Sequence, residues 1–295
     1  MLTNPRSDRV KAVRALSRRS VRSRSGEFVA EGPQSVREAL RHRPDTVRDV
    51  YVTPEAADRH PAIVDAARAA GVTVHDTAPE VLAAMVDTES PQGLVAVCRA
   101  VDRPLDEVLD GLPERALVLV LTHVRDPGNA GTVIRGADAA GADAVVVSDA
   151  SVELYNPKVV RSTAGSLWHL PVSVGAPVTE ILDGLRARGV ALLAADGAGT
   201  TLLPEVDLDR SHAWVMGNEA WGLPEPLRAQ CDEVVRVPIH GHAESLNLAM
   251  AATVCLYASA GARHPDGRSD TPVGTEAGSD VSTEVGSDAG VGGRG

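Results

Sequence analysis

The sequence is poor in aromatic residues and cysteines and has no long hydrophobic run. Phe, Trp and Tyr make up 2 % of 295 residues, which argues against binding nucleic acid by stacking bases on aromatic rings. Cys98, Cys231 and Cys255 lie far apart, so the sequence predicts neither a disulfide scaffold nor a zinc ribbon and indicates a reducing cytoplasm. A membrane-spanning helix needs about 20 apolar residues. No such run occurs, and no secretory signal is recognisable.

Several motifs of common enzyme classes are also absent. The sequence has no GxGxxG after a strand, no GxxxxGK[ST] and no GxSxG. These absences remove the main support for a dinucleotide oxidoreductase, a P-loop NTPase or an α/β-hydrolase. His240 and His242 form a short histidine pair, but no third ligand follows at a suitable spacing. No metal site is therefore predicted.

Charge is unevenly distributed along the chain. The formal net charge is −11, yet residues 1–43 hold eleven Lys or Arg against four Asp or Glu. Eight of these basic residues lie in the run 6–25. Such a cluster can attract a phosphate backbone, although the same pattern also fits a helix that turns its arginines to water. An RNA contact and a solvated helix both stay open at this point.

The order of predicted elements indicates an α/β protein with two domains. Strands and helices alternate in residues 1–101, a linker is expected at 102–115, and a second α/β unit follows at 116–263. This alternation predicts a mainly parallel sheet with helices on both faces. Residues 264–295 lack Leu, Ile, Met and aromatics and repeat TEAGSD as TEVGSD, so a disordered tail is expected.

Two of the predicted helices contain residues with strong positional preferences. The stretch 54–71 predicts one helix that continues through Pro61. The stretch 245–261 predicts a long closing helix with Ser245 as its N-cap, which would put Asn247 in the first turn.

Three polar stretches, each directly after a predicted strand, carry the functional signal. They are DPGNAGTVIR at 126–135, VMGNEAWGLP at 215–224 and VPIHGHAESLNLAMA at 237–251. Ligands of open α/β sheets bind outside the carboxyl ends of the strands. In the first stretch Asn129 is expected to cap the next helix, and Arg135 lies among small and apolar residues, where a charge is costly without a partner. Taken singly, each stretch also fits an ordinary turn or a capped helix.

Together and in this order, the three stretches resemble the motifs of the SpoU family of RNA 2′-O-ribose methyltransferases, in the SPOUT superfamily. The resemblance covers roughly residues 116–262, and about 6–100 resemble the family's small α/β substrate-binding domain. It implies a C-terminal methyltransferase domain with a trefoil knot, a type of topology that is rare in proteins. It further implies S-adenosylmethionine as cofactor and structured RNA as substrate, with ribosomal RNA favoured over transfer RNA and no DNA partner.

The resemblance also implies roles for individual residues. Arg135 would stabilise negative charge on the 2′-oxygen and hold the adjacent phosphate, because a guanidinium is a poor base. A role of Arg135 as proton acceptor stays open if the dimer desolvates it. Asn129 would orient Arg135 and the ribose, and Glu219 would hold the arginine or the cofactor amine. Ser245 and Asn247 would hydrogen-bond the nucleotide and fix their loop.

Cofactor contacts and subunit contacts follow from the same resemblance. The cofactor would lie against Ala194, Gly217, Val237, Ile239 and Leu246, mostly through backbone groups. A homodimer is implied, and the small residues of the closing helix are compatible with close helix packing; they are Ala249, Ala251, Ala252 and Ala258. Two alternatives remain from the sequence: a non-catalytic RNA-binding or ribosome-assembly protein of the same fold, and a small-molecule α/β enzyme.

Overall fold

Two separate β-sheets organise residues 1–266, the part of the chain that this computed structural model describes. Residues Met1–Arg263 form one unit held together by contacts between the two sheet regions. The predicted tail 264–295 lies outside the described residues except for its first three. None of the described helices is both long and apolar enough to span a membrane.

The N-terminal sheet has four strands in the order β1-β4-β2-β3. Strand β4 pairs antiparallel with β1 and β2, whereas β2 and β3 are parallel. The strands are β1 Glu27–Glu31, β2 Val47–Val52, β3 Thr73–Asp76 and β4 Leu94–Arg99. The helices of this region are α1 Asp8–Ala15, α2 Arg19–Ser25, α3 Pro33–His42, α4 Pro54–Arg59, α5 Pro61–Ala69 and α6 Pro79–Ala83.

The single helix predicted over 54–71 is wrong, because the chain breaks there into α4 and α5. Helix α4 ends at Arg59, His60 leaves the helical conformation with φ −131°, and α5 begins at Pro61. Proline has no N–H to donate and disfavours the helical conformation in the residue before it. At the first position of a new helix neither property is costly.

The second sheet has seven strands in the order β7-β6-β5-β10-β8-β11-β9, and every neighbouring pair is parallel. The prediction of a mainly parallel α/β sheet is confirmed. The strands are β5 Leu117–Leu121, β6 Ala144–Ser148, β7 Val172–Ala176, β8 Ala191–Ala195, β9 Thr201–Leu202, β10 His212–Met216 and β11 Glu233–Arg236. The helices are α7 Leu105–Asp110, α8 Pro127–Ala139, α9 Pro157–Ser162, α10 Val178–Ala187, α11 Glu225–Arg228 and α12 Leu248–Arg263.

The segment expected to be a linker, 102–115, is packed rather than extended. It contains α7, whose Val108 and Leu109 are buried in the same apolar cluster as α10. Two prolines and several carboxylates made the segment look like a connection, but Val108 and Leu109 reach the core, and Leu105 and Leu112 pack against it.

Both faces of the seven-stranded sheet are covered by helices. In the central strand β10, Trp214 and Met216 belong to the core that includes α8 and α12, while Ala213 and Val215 belong to the core that includes α10. This alternation is the period of two expected for a strand. Trp214 also donates its indole N–H to the Ser259 hydroxyl on α12, at 2.8 Å. The sheet is thus buried on both sides, as continuous apolar strands predict.

A buried ion pair joins the N-terminal region to the second sheet region. The Arg22 side chain of α2 is almost fully buried, and its Nε donates to Oε1 of Glu153 at 2.7 Å. Its Nη1 also donates to the carbonyls of Leu16 and Ser17, at 2.8 and 2.7 Å. Arg22 therefore has a structural role and does not present its charge at the surface.

An aromatic contact lies close to this ion pair. The Phe28 ring of β1 stacks on Tyr155, with ring centroids 4.6 Å apart, and on Trp168 at 6.0 Å. Three of the chain's few aromatic side chains thus serve the contact between the two sheet regions.

Candidate active site

A cavity of about 610 Å³ lies at the carboxyl edge of the seven-stranded sheet, where the segments that follow β8, β10 and β11 meet. This volume is within the range of small-molecule and cofactor sites. The lining comes from residues 195–197 and 216–222, from most of the residues in 235–246, and from the start of α12. The second and third motif stretches therefore share one cavity, and the first stretch is joined to both of them by hydrogen bonds.

The start of α8 differs from the prediction that Asn129 is its N-cap. The cap is Asp126, whose Oδ1 accepts a hydrogen bond from the Asn129 backbone N–H at 2.7 Å, and the helix begins at Pro127. Both Asp and Asn are good caps, and Pro favours the first helical position, so Asp-Pro decides the boundary. Asn129 lies in the first turn with its side chain free to bind elsewhere.

The start of α12 also differs from the prediction. The helix begins at Leu248, and the Asn247 Oδ1 accepts hydrogen bonds from the backbone N–H groups of Ala249 and Met250, at 2.8 and 3.4 Å. Ser245 is therefore not the cap; it is exposed and lines the cavity. Asparagine is as good a cap as serine, and the next apolar residue after it starts the buried face.

One side-chain hydrogen bond joins the first and third motif stretches. Asn247 Nδ2 donates to Asn129 Oδ1 at 3.1 Å, across 118 residues of sequence. Asn247 thus caps α12 with its oxygen and binds the first turn of α8 with its nitrogen. The two amides bring the beginnings of α8 and α12 together.

Glu219 connects the second motif stretch to the first. Its carboxylate accepts hydrogen bonds from the backbone N–H groups of Arg125 and Asp126, at 3.2 and 3.0 Å. The expected partner, Arg135, is not bound to it in the structure. A carboxylate is stabilised at this place because it lies immediately before the positive end of the α8 dipole.

Two glycines allow the β10 loop to fold back on itself. Asn218 and Gly222 exchange backbone hydrogen bonds at 2.8 and 2.9 Å, and Asn218 Nδ2 donates to the carbonyl of His123 at 2.9 Å. A Cβ on Gly217 would lie 2.4 Å from the Gly222 carbonyl oxygen. Gly222 has φ +69°, and a Cβ there would lie 2.5 Å from Asp196 Oδ2. No side chain fits at either position without moving the loop.

Two residues that the sequence reasoning missed also shape the cavity. Asp196 follows β8 directly, and its buried carboxylate accepts from the Leu223 N–H at 3.0 Å and pairs with Arg228 at 3.2 Å. A carboxylate directly after a buried apolar strand was a usable signal. Trp221 lines the cavity, is 52 % exposed and meets His123 edge-on, with centroids 5.4 Å apart.

The residues expected to contact the cofactor are mostly placed at the cavity. Gly217, Val237, Ile239 and Leu246 line it. Ala194 does not, because it is fully buried inside β8. The lining begins with the next residue of that strand. Apolar side chains, backbone groups and exposed carboxylates thus surround one space, a combination that suits a ligand with a flat ring and a cationic centre.

Arg135 lies on α8, six residues after Asn129, and its side chain faces solvent. The neighbours of Arg135 in the sequence are small and apolar, but its side chain is not buried among them. Val133 and Ile134 before it point into the core, but the helix turns Arg135 outward. Within residues 1–266, no carboxylate lies within ion-pair distance of its guanidinium. Its charge is available to a phosphate or a developing oxyanion.

The outer face of α12 is apolar and exposed. Met250, Val254 and Tyr257 are 59 %, 42 % and 53 % exposed, and their spacing puts them on one side of the helix. The alanines behave differently from the expected close-packing face, because Ala249 and Ala252 are buried in the core of the same chain. The apolar surface that remains open beside α8 is formed by the larger side chains.

Two family models match the chain. The model described as the SpoU rRNA Methylase family matches residues 116–257. The model described as RNA 2'-O ribose methyltransferase substrate binding matches residues 29–104. The first covers all three motif stretches, and the second covers most of the four-stranded sheet.

Curated proteins and solved structures agree with these matches. The chain is 37 % identical over 234 residues to the 23S rRNA (guanosine-2'-O-)-methyltransferase RlmB of Bordetella pertussis, covering 78 % of this chain and 96 % of the relative. It is 33 % identical over 261 residues to the 23S rRNA (guanosine(2553)-2'-O)-methyltransferase RlmP of Bacillus subtilis, covering 87 % and 97 %. The AdoMet-bound rRNA methyltransferase of Sinorhizobium meliloti superimposes with a TM-score of 0.78 at 28 % identity, covering 91 % of this chain and 98 % of that one.

Proposed function

Since this chain belongs to the SpoU rRNA methylase family, we propose that it transfers a methyl group from S-adenosylmethionine to a ribose 2′-hydroxyl of ribosomal RNA. The observation that carries the proposal is that the second and third motif stretches line one cavity and both are hydrogen-bonded to the first, whose helix carries the exposed guanidinium of Arg135. Ribosomal RNA is favoured over transfer RNA because the relatives reported above are named for 23S rRNA. The small-molecule alternative has no comparable support.

The cavity fits S-adenosylmethionine. Val237, Ile239 and Leu246 offer an apolar surface for the adenine ring. Gly217 and Gly222 leave the loop backbone close to the cavity, where its N–H and C=O groups can bind the adenine edge and the amino-acid end. The bound cofactor supplies a methyl group that is already activated by the positive sulfonium.

Arg135 is proposed to act on the acceptor. A guanidinium stays protonated in proteins, so its contribution is electrostatic. It stabilises the negative charge that develops on the 2′-oxygen and holds the neighbouring phosphate by paired N–H donors. Asn129 lies in the first turn of α8, where Asn247 donates a hydrogen bond to its side chain. In that position it orients the ribose beside the guanidinium charge.

The other polar residues are proposed to hold the loops and the nucleotide. Glu219 fixes the turn before α8 through two backbone N–H groups, which keeps the first motif against the second. Ser245 is exposed at the cavity and free to hydrogen-bond the nucleotide. In this proposal the rate enhancement comes from holding the 2′-hydroxyl close to the methyl group and in line with it, and no unusually strong base is needed.

RNA contacts away from the reacting ribose are proposed for the N-terminal region, residues 1–101. Six arginines of the basic run are exposed; they are Arg6, Arg9, Arg14, Arg18, Arg19 and Arg24. Val10, Val13 and Leu16 of the same segment are buried core residues, so substitution tests the idea better than deletion. Arg18→Ala with Arg19→Ala is expected to weaken RNA binding and to lower its salt dependence, because fewer counterions are released.

A homodimer is proposed, with the exposed apolar face of α12 as its centre. Met250, Val254 and Tyr257 form a continuous stripe that water would otherwise cover. The stripe lies on the helix that packs against α8, so a partner seated there would approach Arg135. Tyr257→Glu is expected to shift the mass measured by light scattering from a dimer to a monomer, while Glu180→Gln on α10 leaves it unchanged.

The trefoil knot is also part of the proposal. Strand β10 inserts between β5 and β8, and α12 then returns to pack on α8, β8 and β10. This arrangement makes the chain end pass beside loops formed earlier in the sequence.

The reaction is proposed to take place in the cytoplasm. All three cysteines are free thiols, which is consistent with a reducing compartment.

Methyl transfer to 23S rRNA that lacks 2′-O-methylation tests the function directly. The wild-type chain is expected to incorporate tritiated methyl groups at one ribose, and Arg135→Ala to lose at least a hundredfold in turnover while still binding the cofactor. Arg186→Ala is the matched control, because Arg186 lies on α10 and pairs with Asp183. Cofactor binding without transfer to rRNA or tRNA would instead support a non-catalytic RNA-binding protein.

A further inference from the structure

Two histidines and a glutamate meet where α3 contacts the second sheet region. Glu38 and His42 lie one turn apart on α3, and His169 follows the 3₁₀ turn Ser166–Trp168. One ligand atom of each residue lies within 4.8 Å of the others. The two imidazole rings have centroids 4.3 Å apart. The cluster contains none of the motif stretches and none of the residues that line the cavity.

Two of the three separations between the ligand atoms suit a tetrahedral metal ion. Oε2 of Glu38 lies 3.3 Å from Nε2 of His169 and 3.5 Å from Nε2 of His42. Ligand atoms about 2.0–2.1 Å from a tetrahedral zinc ion are about 3.3–3.4 Å apart. The same two separations are long for direct hydrogen bonds. One carboxylate oxygen thus faces two ring nitrogens at the distance of ligands that share an ion.

The surroundings hold these ligands in place. Asp138 Oδ2 lies 2.8 Å from Nδ1 of His169, which leaves Nε2 directed to Glu38. A carboxylate on the far nitrogen is the usual support of a metal-bound histidine. Oε1 of Glu38 lies 3.4 Å from Arg37 Nε and 3.5 Å from Gln34 Nε2. Gly165 has φ +106°, and a Cβ there would lie 2.4 Å from Glu38 Cγ, so the loop is shaped around this glutamate.

We propose that Glu38, His42 and His169 bind a zinc ion, with water in the fourth position. Two imidazoles and a carboxylate are ligands that zinc accepts, and calcium or magnesium would prefer oxygen alone. His42 is 40 % exposed, which gives the ion a path from solvent. The ion would join α3 of the RNA-binding region to the methyltransferase region and so hold their relative position.

Calorimetric titration of Zn²⁺ into the full, untagged, chelator-treated chain tests the site. One equivalent is expected to bind. His42→Ala and Glu38→Gln are each expected to lower the affinity by more than a hundredfold. Asp138→Asn, which touches only the supporting carboxylate, is expected to lower it by about 10–100-fold. His60→Ala, a histidine of the same region outside the cluster, is expected to bind like wild type.

Co²⁺ provides a second readout that does not depend on methyl transfer. The wild-type chain is expected to give the intense visible absorption of a four-coordinate cobalt ion, and Glu38→Gln to lose it. Circular dichroism checks that the Glu38→Gln and His42→Ala variants are folded. The proposal is overturned if the chain binds no stoichiometric zinc, or if Glu38→Gln and His42→Ala bind as tightly as His60→Ala. Loss of methyl transfer alone would bear on the proposed function and not on the metal site.

Discussion

Among the basic residues of the N-terminal run, Arg22 is the one whose replacement by methionine is expected to destabilise the protein most. The substitution keeps an apolar chain of similar length but removes every N–H donor. Glu153 is then left without its partner, with its side chain only 16 % exposed. The carbonyls of Leu16 and Ser17 also lose the donors that now lie 2.8 and 2.7 Å away.

The size of the effect follows from the burial of the guanidinium. Breaking a buried ion pair by removing one partner costs about 3–5 kcal/mol. Because Glu153 is partly exposed, water reduces its penalty, and a loss of about 3 kcal/mol is expected. For a chain of this length each kcal/mol lowers the melting temperature by roughly 2–4 °C. Arg24→Met, two residues later and exposed, is expected to change stability by less than about 0.5 kcal/mol.

Urea unfolding followed by tryptophan fluorescence measures this difference. Trp168 stacks on Phe28 across the same contact, so its signal reports separation of the two regions as well as unfolding. If Arg22→Met and Arg24→Met unfold at the same urea concentration, the buried ion pair contributes nothing. RNA binding measured on the same two variants separates structural arginines from those that contact phosphates.

Three further expectations concern the site and the thiols. Glu219→Gln is expected to lower kcat/KM for methyl transfer by about tenfold, which is about 1.4 kcal/mol, because a neutral amide holds the α8 turn less strongly; Glu225→Gln is the control, and equal activities would contradict the role. Asn247→Ala should cost about 1 kcal/mol in thermal unfolding through the lost cap, whereas Asn247→Asp should retain the cap. Burial raises the pKa of the Cys255 thiol to about 12 and that of Cys231 to about 11, so a thiol reagent at pH 8 should label the native chain slowly and all three cysteines only after unfolding.

The sequence predicted the α/β class of the fold and its mainly parallel sheet, because both depend on local patterns. Strand β5, Leu117–Leu121, is a continuous apolar run and is buried along its whole length. Continuous apolar runs produce buried strands, and the three motif stretches follow such strands. Their order along the chain, compared with a family, also supported the reaction.

Contacts between distant residues were beyond such reasoning. Whether Asp126 or Asn129 caps α8, and whether Ser245 or Asn247 caps α12, depends on which side chain the tertiary structure leaves free. Burial of Arg22 in an otherwise solvated run depends on Glu153, which is 131 residues away. In the histidine cluster, Glu38 and His169 are also 131 residues apart in the sequence. No local sequence pattern predicts that they meet.

The position of β10 has a consequence for synthesis of the protein on the ribosome. This strand joins the β7-β6-β5 half of the large sheet to the β8-β11-β9 half, yet it is the second-last strand to be made. A nascent chain that ends before His212 holds β7-β6-β5 as one three-stranded piece, while β8 and β9 still lack β10 and β11, the strands with which they pair. The N-terminal sheet is already complete at that point. The four-stranded sheet can therefore form early during translation, and the cavity at the carboxyl edge of the large sheet forms only when nearly the whole chain has emerged.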